Sequence, residues 1–368
     1  MNGGAHRFSL KSLGCAALLV LLAGPWHLAL AAQCPKLLMF DGFDIRTQNN
    51  AQQAAYWGKT VGVQGFFLNS VMAHWQKDVG TNPDSKMWQD VARFQSIYSK
   101  YGVTDNFIKV ASYKSHDWSS AKANQAAVTR LQHAAMLAKY ARLKGVVLDL
   151  EPYVPIWGGP AAGPEVATTI EQEGRAIAQA MHQAYPGMTL IVLPDVLDQT
   201  QRYATLLQRF KSDVHNMKAR QKLPKYSRYE FAVRFVRGLL SVPWTHVVIG
   251  MEQTYSRNAN GMEPSVQRTQ SGFARLMGKS AASMHLSGAP GLWPLGPTRT
   301  NKAARESPGR FEGRLRAAYE AADQYVWIYG HGSAWQTNGP YAPGAVTPDF
   351  SQYTDAIHQV EASCGTSR

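Results

Sequence analysis

The sequence predicts an α/β chain closed into a single (β/α)8 TIM barrel with extended loops, and three observations predict it. Eight short apolar runs recur along the chain, and helical patterns fill the gaps between them. No Gly-x-Gly-x-x-Gly opens a helix after the first run, which leaves an open dinucleotide-binding sheet without its signature. The length of 368 residues suits one barrel, and 45% hydrophobic against 17% charged residues excludes a disordered polymer.

Residues 1–31 read as a secretory signal peptide. Arg7 and Lys11 supply the positive start, Cys15–Gly24 an apolar stretch too short to span a bilayer, and Ala29-Leu30-Ala31 the cleavage site. The barrel domain is then 32–368, secreted or periplasmic, with no transmembrane anchor after cleavage. Cleavage removes Arg7 and Lys11 and no acidic residue, so the net charge falls from +13 to +11. Of the three cysteines, Cys34 and Cys364 remain, one near each end of the mature chain. An oxidising compartment allows them to pair, which would stabilise by roughly 3–5 kcal/mol; two free thiols are the alternative.

The strands are read in order as Lys36–Phe40, Gly62–Leu68, Phe107–Ala111, Gly145–Leu150, Thr189–Leu193, His246–Met251, Met284–Ser287 and Tyr325–Tyr329. Each is β-branched or aromatic and bounded by turn formers, as a buried parallel strand requires. Helices are expected over Ser120–Lys144, Glu165–Ala184, Pro308–Asp323 and Phe350–Ala362, with room for two between Gln199 and Val242. Phe311, Leu315, Ala318 and Ala322 form one apolar stripe, as do Val166, Ile170, Ile177 and Met181. Asn338–Pro348 reads as a Gly/Pro loop.

Catalytic groups of such barrels come from the carboxyl ends of the strands. Those ends carry Asp41, Asp44, Asn69, Ser112, Tyr113, Asp149, Glu151, Asp195, Glu252, Tyr255, Trp293, Tyr329, His331 and Trp335. In Gly145-Val-Val-Leu-Asp-Leu-Glu-Pro-Tyr153, alternation puts Val147, Asp149 and Glu151 on one face and both leucines on the other. Two carboxyls on one wall raise at least one pKa, and a carboxylic acid kept protonated near neutrality is what glycosidic cleavage needs. Glu252, two strands round the barrel, is the expected base or nucleophile.

The D-x-E ending strand four resembles the chitinase-type motif DxxDxDxE of the (β/α)8 glycoside hydrolases. That resemblance implies Glu151 as the acid that protonates the glycosidic oxygen, with Asp149 as its helper. Lys144 and Val147 stand at the two earlier Asp positions, and Met251-Glu252-Gln253-Thr254-Tyr255 is a loose echo of that family's strand-six Tyr-Asp. Trp327 on strand eight is similar to the tryptophan that floors the family's sugar site. A second hydrolase group of this fold carries a glutamate after strand four and another after strand seven; Glu151-Pro152 matches the first, and strand seven here has no carboxylate.

Sugar C–H faces stack on flat rings, so Trp75, Tyr113, Trp118, Tyr153, Trp157, Tyr255, Trp293, Tyr329 and Trp335 are candidate platforms. With Asp41, Asp195, Trp327 and His331 they complete the expected substrate-binding set. His74, His116 and His331 follow strands but show no metal-ligand spacing, so no cofactor and no metal are expected. The basic stretch Arg202, Arg209, Lys211, Lys218, Arg220, Lys222, Lys225 and Arg228, opposed by Asp213, is a solvated helix and loop or a contact for an anionic polysaccharide or lipid headgroups. The expected partner is a polysaccharide or oligosaccharide, possibly an anionic one, bound by a monomer; export argues against nucleic acid. Cleavage by carboxylate acid/base chemistry leads, with a glycan-binding barrel without catalysis and a metal-dependent deacetylase as alternatives.

Overall fold

Eight parallel strands pair in chain order and the eighth returns to the first, closing the barrel. The computed structural model describes residues 34–41, 44–112, 116–152, 157, 164–198, 200–201, 223–278, 284–296, 305–330, 335 and 351–366. Residues 1–31, expected to be a signal peptide, Tyr113, Tyr153, His331, the basic residues from Arg202 to Lys222, the side chains of Lys225 and Arg228, and residues 338–348, expected to be a loop, lie outside them.

The strands are β1 (Lys36–Phe40), β2 (Gly65–Leu68), β3 (Phe107–Ala111), β4 (Gly145–Asp149), β5 (Thr189–Leu193), β6 (His246–Met251), β7 (His285–Leu292) and β8 (Tyr325–Tyr329). Between them stand α1 (Ile45–Gln48), α2 (Ala51–Ala55), α3 (Lys86–Tyr98), α4 (Ala121–Tyr140), α5 (Pro164–Ala184), α6 (Leu223–Leu239), α7 (Met262–Met277), α8 (Pro308–Ala321) and the closing α9 (Ser351–Thr366).

Three expected strands differ, and β4 does so by one residue, ending at Asp149 rather than Leu150. β2 starts at Gly65, because Gly62 (φ 86°) adopts the left-handed conformation that ends the helical turn Tyr56–Val61. β7 runs on to Leu292 through a Gly-Ala-Pro-Gly stretch that reads as a loop. Its pairing explains the tolerance: β6 pairs with it up to Pro290, whereas β8 pairs with Gly291 and Leu292.

Side chains sort by parity into two cores. Leu38, Phe67, Phe107, Val147, Ile191, Leu193, Val248, Ala289, Tyr325 and Trp327 fill the barrel interior. Residues of opposite parity, Leu148 and Ile249 among them, pack outward on the helices. There α5 and α6 approach so closely that a Cβ on Gly174 would sit 2.2 Å from the Phe235 carbonyl oxygen, and one on Gly238 1.9 Å from that of Glu171. Cys34 and Cys364 are joined by a disulfide with a Cα separation of 5.9 Å, tying the start of β1 to α9. Among the described residues no helix is long and apolar enough to cross a membrane.

Candidate active site

β4 alternates as its sequence requires. Val147 lies inside the barrel and Leu148 and Leu150 pack outward, so Asp149 faces the interior. There it meets a residue that reading strand ends does not find. Lys109, in the middle of β3, shares the inward parity of Phe107, and its Nζ lies 2.7 Å from Asp149 Oδ2. Side-chain exposure is 0% for Lys109 and 1% for Asp149, so the pair is wholly enclosed. The ammonium also sits 4.6 Å from the centroid of the Phe40 ring, a cation–π contact. A lysine at an inward position of an apolar strand was the available signal.

Beyond Asp149 the chain leaves the strand abruptly. The Leu150 N–H donates to the Leu193 carbonyl at 2.6 Å, and the Leu150 carbonyl accepts from the Trp157 indole at 2.6 Å and from the Ser112 hydroxyl. So pinned, the next residue turns to a positive φ of 41°, unusual for a glutamate and paid for by those contacts. Glu151 is 8% exposed, and its Oε2 has no hydrogen-bond partner among the described residues.

Glu252 follows β6 at the start of the turn Glu252–Ser256. The turn is locked on two sides. The Thr254 hydroxyl donates to the Met251 carbonyl at 2.5 Å and accepts from the Gly291 N–H at 2.8 Å. Arg314 of α8, held by Glu306 at 2.7 Å, donates to the carbonyls of Thr254 and Tyr255 at 2.8 and 2.9 Å. A Cβ at Gly291 would lie 2.6 Å from the Trp327 ring and 2.9 Å from that of Tyr255, so glycine there lets both rings close over the barrel.

The three carboxyls feel one another. Burial, then the charges of Asp149 and Glu252, push Glu151 up to about 9 against the opposing pull of Lys109. Burial and Asp149 push Glu252 up to about 8, again opposed by Lys109. Near neutral pH both glutamates hold their protons.

A wall of rings completes the mouth. Tyr255 and Tyr329 stack at 6.2 Å and 19°, and Trp293 lies 5.5 and 5.2 Å from them. All three are half-buried, as is Phe40 beside Tyr329 at 5.1 Å. Burial first, then Glu252, raises the Tyr255 hydroxyl well above its ordinary value.

Other expected binding residues fall elsewhere. Trp327 is fully buried beneath Phe40 and Tyr255, its indole donating to the Ala289 carbonyl at 3.0 Å, and it presents no face to a sugar. Trp75 and Trp118 pack with Trp157, Phe235 and His116 in the outer core, at 4%, 5% and, for Trp157, 0% exposure. Burial lowers the pKa of His116, which bonds Asn124 at 2.8 Å. Asp41 is buried and accepts from the Trp335 N–H at 3.0 Å; Trp335 itself is buried against Tyr353. Asp44 caps α1 and pairs with Arg46. Asp195 is buried beside a side cavity of about 510 Å³. It accepts from the N–H groups of Leu197 and Asp198 at 3.0 Å each, from Gln253 at 2.8 Å and from Thr269 at 2.5 Å. Among the described residues no cluster of His, Cys, Asp or Glu could hold a metal ion.

A closed parallel barrel whose mouth gathers one ion pair, two glutamates pushed up by burial and half-buried rings defines the class of protein: a (β/α)8 barrel with an acid-bearing mouth. No protein-family model matches the chain, and no curated protein matches it. Among solved structures it is similar to a GH5_18 protein from Streptomyces cattleya in complex with GlcNAc, at 8% identity and TM-score 0.49, covering 92% of this chain and 82% of that one. A family GH18 chitinase from Chromobacterium violaceum is 12% identical at TM-score 0.46, over 90% and 83% of the two chains. The 3-keto-D-glucoside 4-epimerase of E. coli is 9% identical at TM-score 0.42, over 89% and 99%. Likenesses this distant say nothing of chemistry, which the side chains at the mouth alone carry.

Proposed function

We propose that this protein is an exported glycoside hydrolase that cleaves a polysaccharide by carboxylate acid/base catalysis. One observation carries the reading. Glu151, buried, without a partner on Oε2 among the described residues and pushed up to about 9, sits with Asp149 and Glu252 beside the half-buried rings of Tyr255, Trp293 and Tyr329. A carboxyl that keeps its proton can give it to a departing glycosidic oxygen, and flat rings beside it stack on sugar C–H faces. Glu252, pushed up only to about 8, loses its proton first and takes the role of base or nucleophile. Asp149, ion-paired with Lys109, is the negative charge that pushes both glutamates up.

The test incubates the mature chain with a panel of neutral and anionic polysaccharides and reads new reducing ends. Cleavage by the native protein and none by Glu151→Gln supports the reading; undiminished cleavage by Glu151→Gln contradicts it. A second reading, glycan binding without cleavage, is favoured by the protonation of both glutamates near neutral pH, which leaves no ionised base. Binding with no product from pH 6 to 10, unchanged in Glu151→Gln, would select it.

A further inference from the structure

Among the described residues, three carboxyls share the barrel mouth with one enclosed cation, so only one of them is neutralised by contact. Lys109 chooses which. Its Nζ lies 2.7 Å from Asp149 Oδ2, with both side chains cut off from solvent. Its place is fixed: Lys109 lies opposite Val147 on β4, and Ala111, two residues on, opposite Asp149. The Phe40 ring, 4.6 Å away, bears on the same ammonium and is itself wedged between Phe67, Trp327 and Tyr329.

We infer that Lys109 is a positioning residue of this site, acting through Asp149: it fixes the negative charge on Asp149 and so keeps the protons on Glu151 and Glu252. The inference rests on the proposed function for its purpose, though not for its test. Among the described residues, the groups facing Glu151 are Asp149 at the end of β4, Lys109 on β3, Glu252 and Tyr255 after β6, and Tyr329 on β8. Among these, the push of Asp149 on Glu151 outweighs the direct pull of Lys109. The same order holds at Glu252. Removing the pair as a unit therefore lowers both glutamates, although the residue introduced at 109 is uncharged and the lost residue was a cation.

That opposite sign separates the inference from a merely structural role. A lysine that acted on Glu151 only directly would, once removed, let the acid rise. A lysine that acts through Asp149 makes it fall, since Asp149 left without its cation in a dry site takes up a proton.

The experiment is a carboxyl-carbon NMR titration of the full chain labelled with [5-13C]glutamate, with the Glu151 signal assigned by its loss in Glu151→Gln. In the native protein the expected midpoint is pushed up to about 9. In the double variant Lys109→Met/Asp149→Asn, which leaves no buried charge unpaired, the expected midpoint falls by about 1 pH unit. Lys109→Met alone, where it folds, matches the double variant, and Lys109→Arg keeps the native midpoint. An unchanged or raised midpoint in Lys109→Met or in the double variant overturns the inference, as does a fall in Lys109→Arg equal to that of the double variant. Because no substrate enters the measurement, a protein that shows the fall yet cleaves no glycan keeps this inference and loses the proposed function.

Discussion

The ends of β4 and β5 stand side by side, since Asp149 pairs with Leu193, yet they use buried carboxyls in opposite ways. Asp195 accepts from four donors, two backbone N–H groups, an amide and a hydroxyl. Such a carboxylate is spent on holding the chain: it caps the residues that follow and ties them to Gln253 and Thr269. Glu151, two residues beyond Asp149, has an Oε2 with no partner among the described residues and a strained backbone. Saturation with donors marks a carboxyl that builds the fold. Burial without donors marks one kept in reserve for a proton transfer.

That contrast can be broken most forcefully at Glu151. Glu151→Gln is expected to lower kcat/KM on a cleaved glycan by about 10³-fold, the middle of the range of general acid catalysis, with the fold intact by circular dichroism. A loss below about tenfold would place the proton donor elsewhere.

The next effect lies in the outer aromatic core, where rings were expected at the mouth. Trp118, packed against Trp75, Trp157 and Phe235, should cost about 3–5 kcal/mol of stability as Trp118→Ala. Denaturant melts read that loss, and the folded fraction should keep its KM. A raised KM with unchanged stability would return Trp118 to the sugar site.

At Asp195, Asp195→Ala strands four donors and should cost about 2–3 kcal/mol in the same melts, without moving the pH dependence of activity. The smallest effect has the opposite sign. Glu151 is held protonated up to about 9 when folded, whereas an unfolded glutamate ionises near 4.5, so folding loses stability as pH rises between those values. Glu151→Gln removes that penalty. It should unfold at a higher temperature than the native protein at pH 7, by an amount worth about 1–3 kcal/mol, and the gap should close toward pH 4.

Much of this was legible in the residues themselves. Five of the strands begin and end where their apolar runs do, because β-branched stretches buried on both faces leave little room for slippage. Asp149 follows from alternation, and Glu151 and Glu252 from where the runs stop; Glu151 itself stands off the strand, at a positive φ that alternation does not foresee. Three features did not. Lys109 hid inside an apolar run, where parity alone tells whether a charge faces the barrel or the helices. β7 ran through a Gly-Ala-Pro-Gly stretch because Gly291 makes room for Trp327 and Tyr255, a constraint set by distant residues. Trp75, Trp118 and Trp335 follow strands as Trp293 does, yet pack outward; nothing local to a loop residue says which side of the barrel its ring will take.

The central claim is that Glu151 donates a proton while Glu252 stands ionised, and the pH dependence of kcat/KM tests it most directly. Activity should rise as pH passes about 8, where Glu252 loses its proton, and fall above about 9, where Glu151 loses its own. The account predicts a narrow bell centred between those values, and Glu252→Gln, which removes the base, abolishes turnover across the whole range. A profile that peaks near pH 5, or stays flat from 6 to 10, would contradict it.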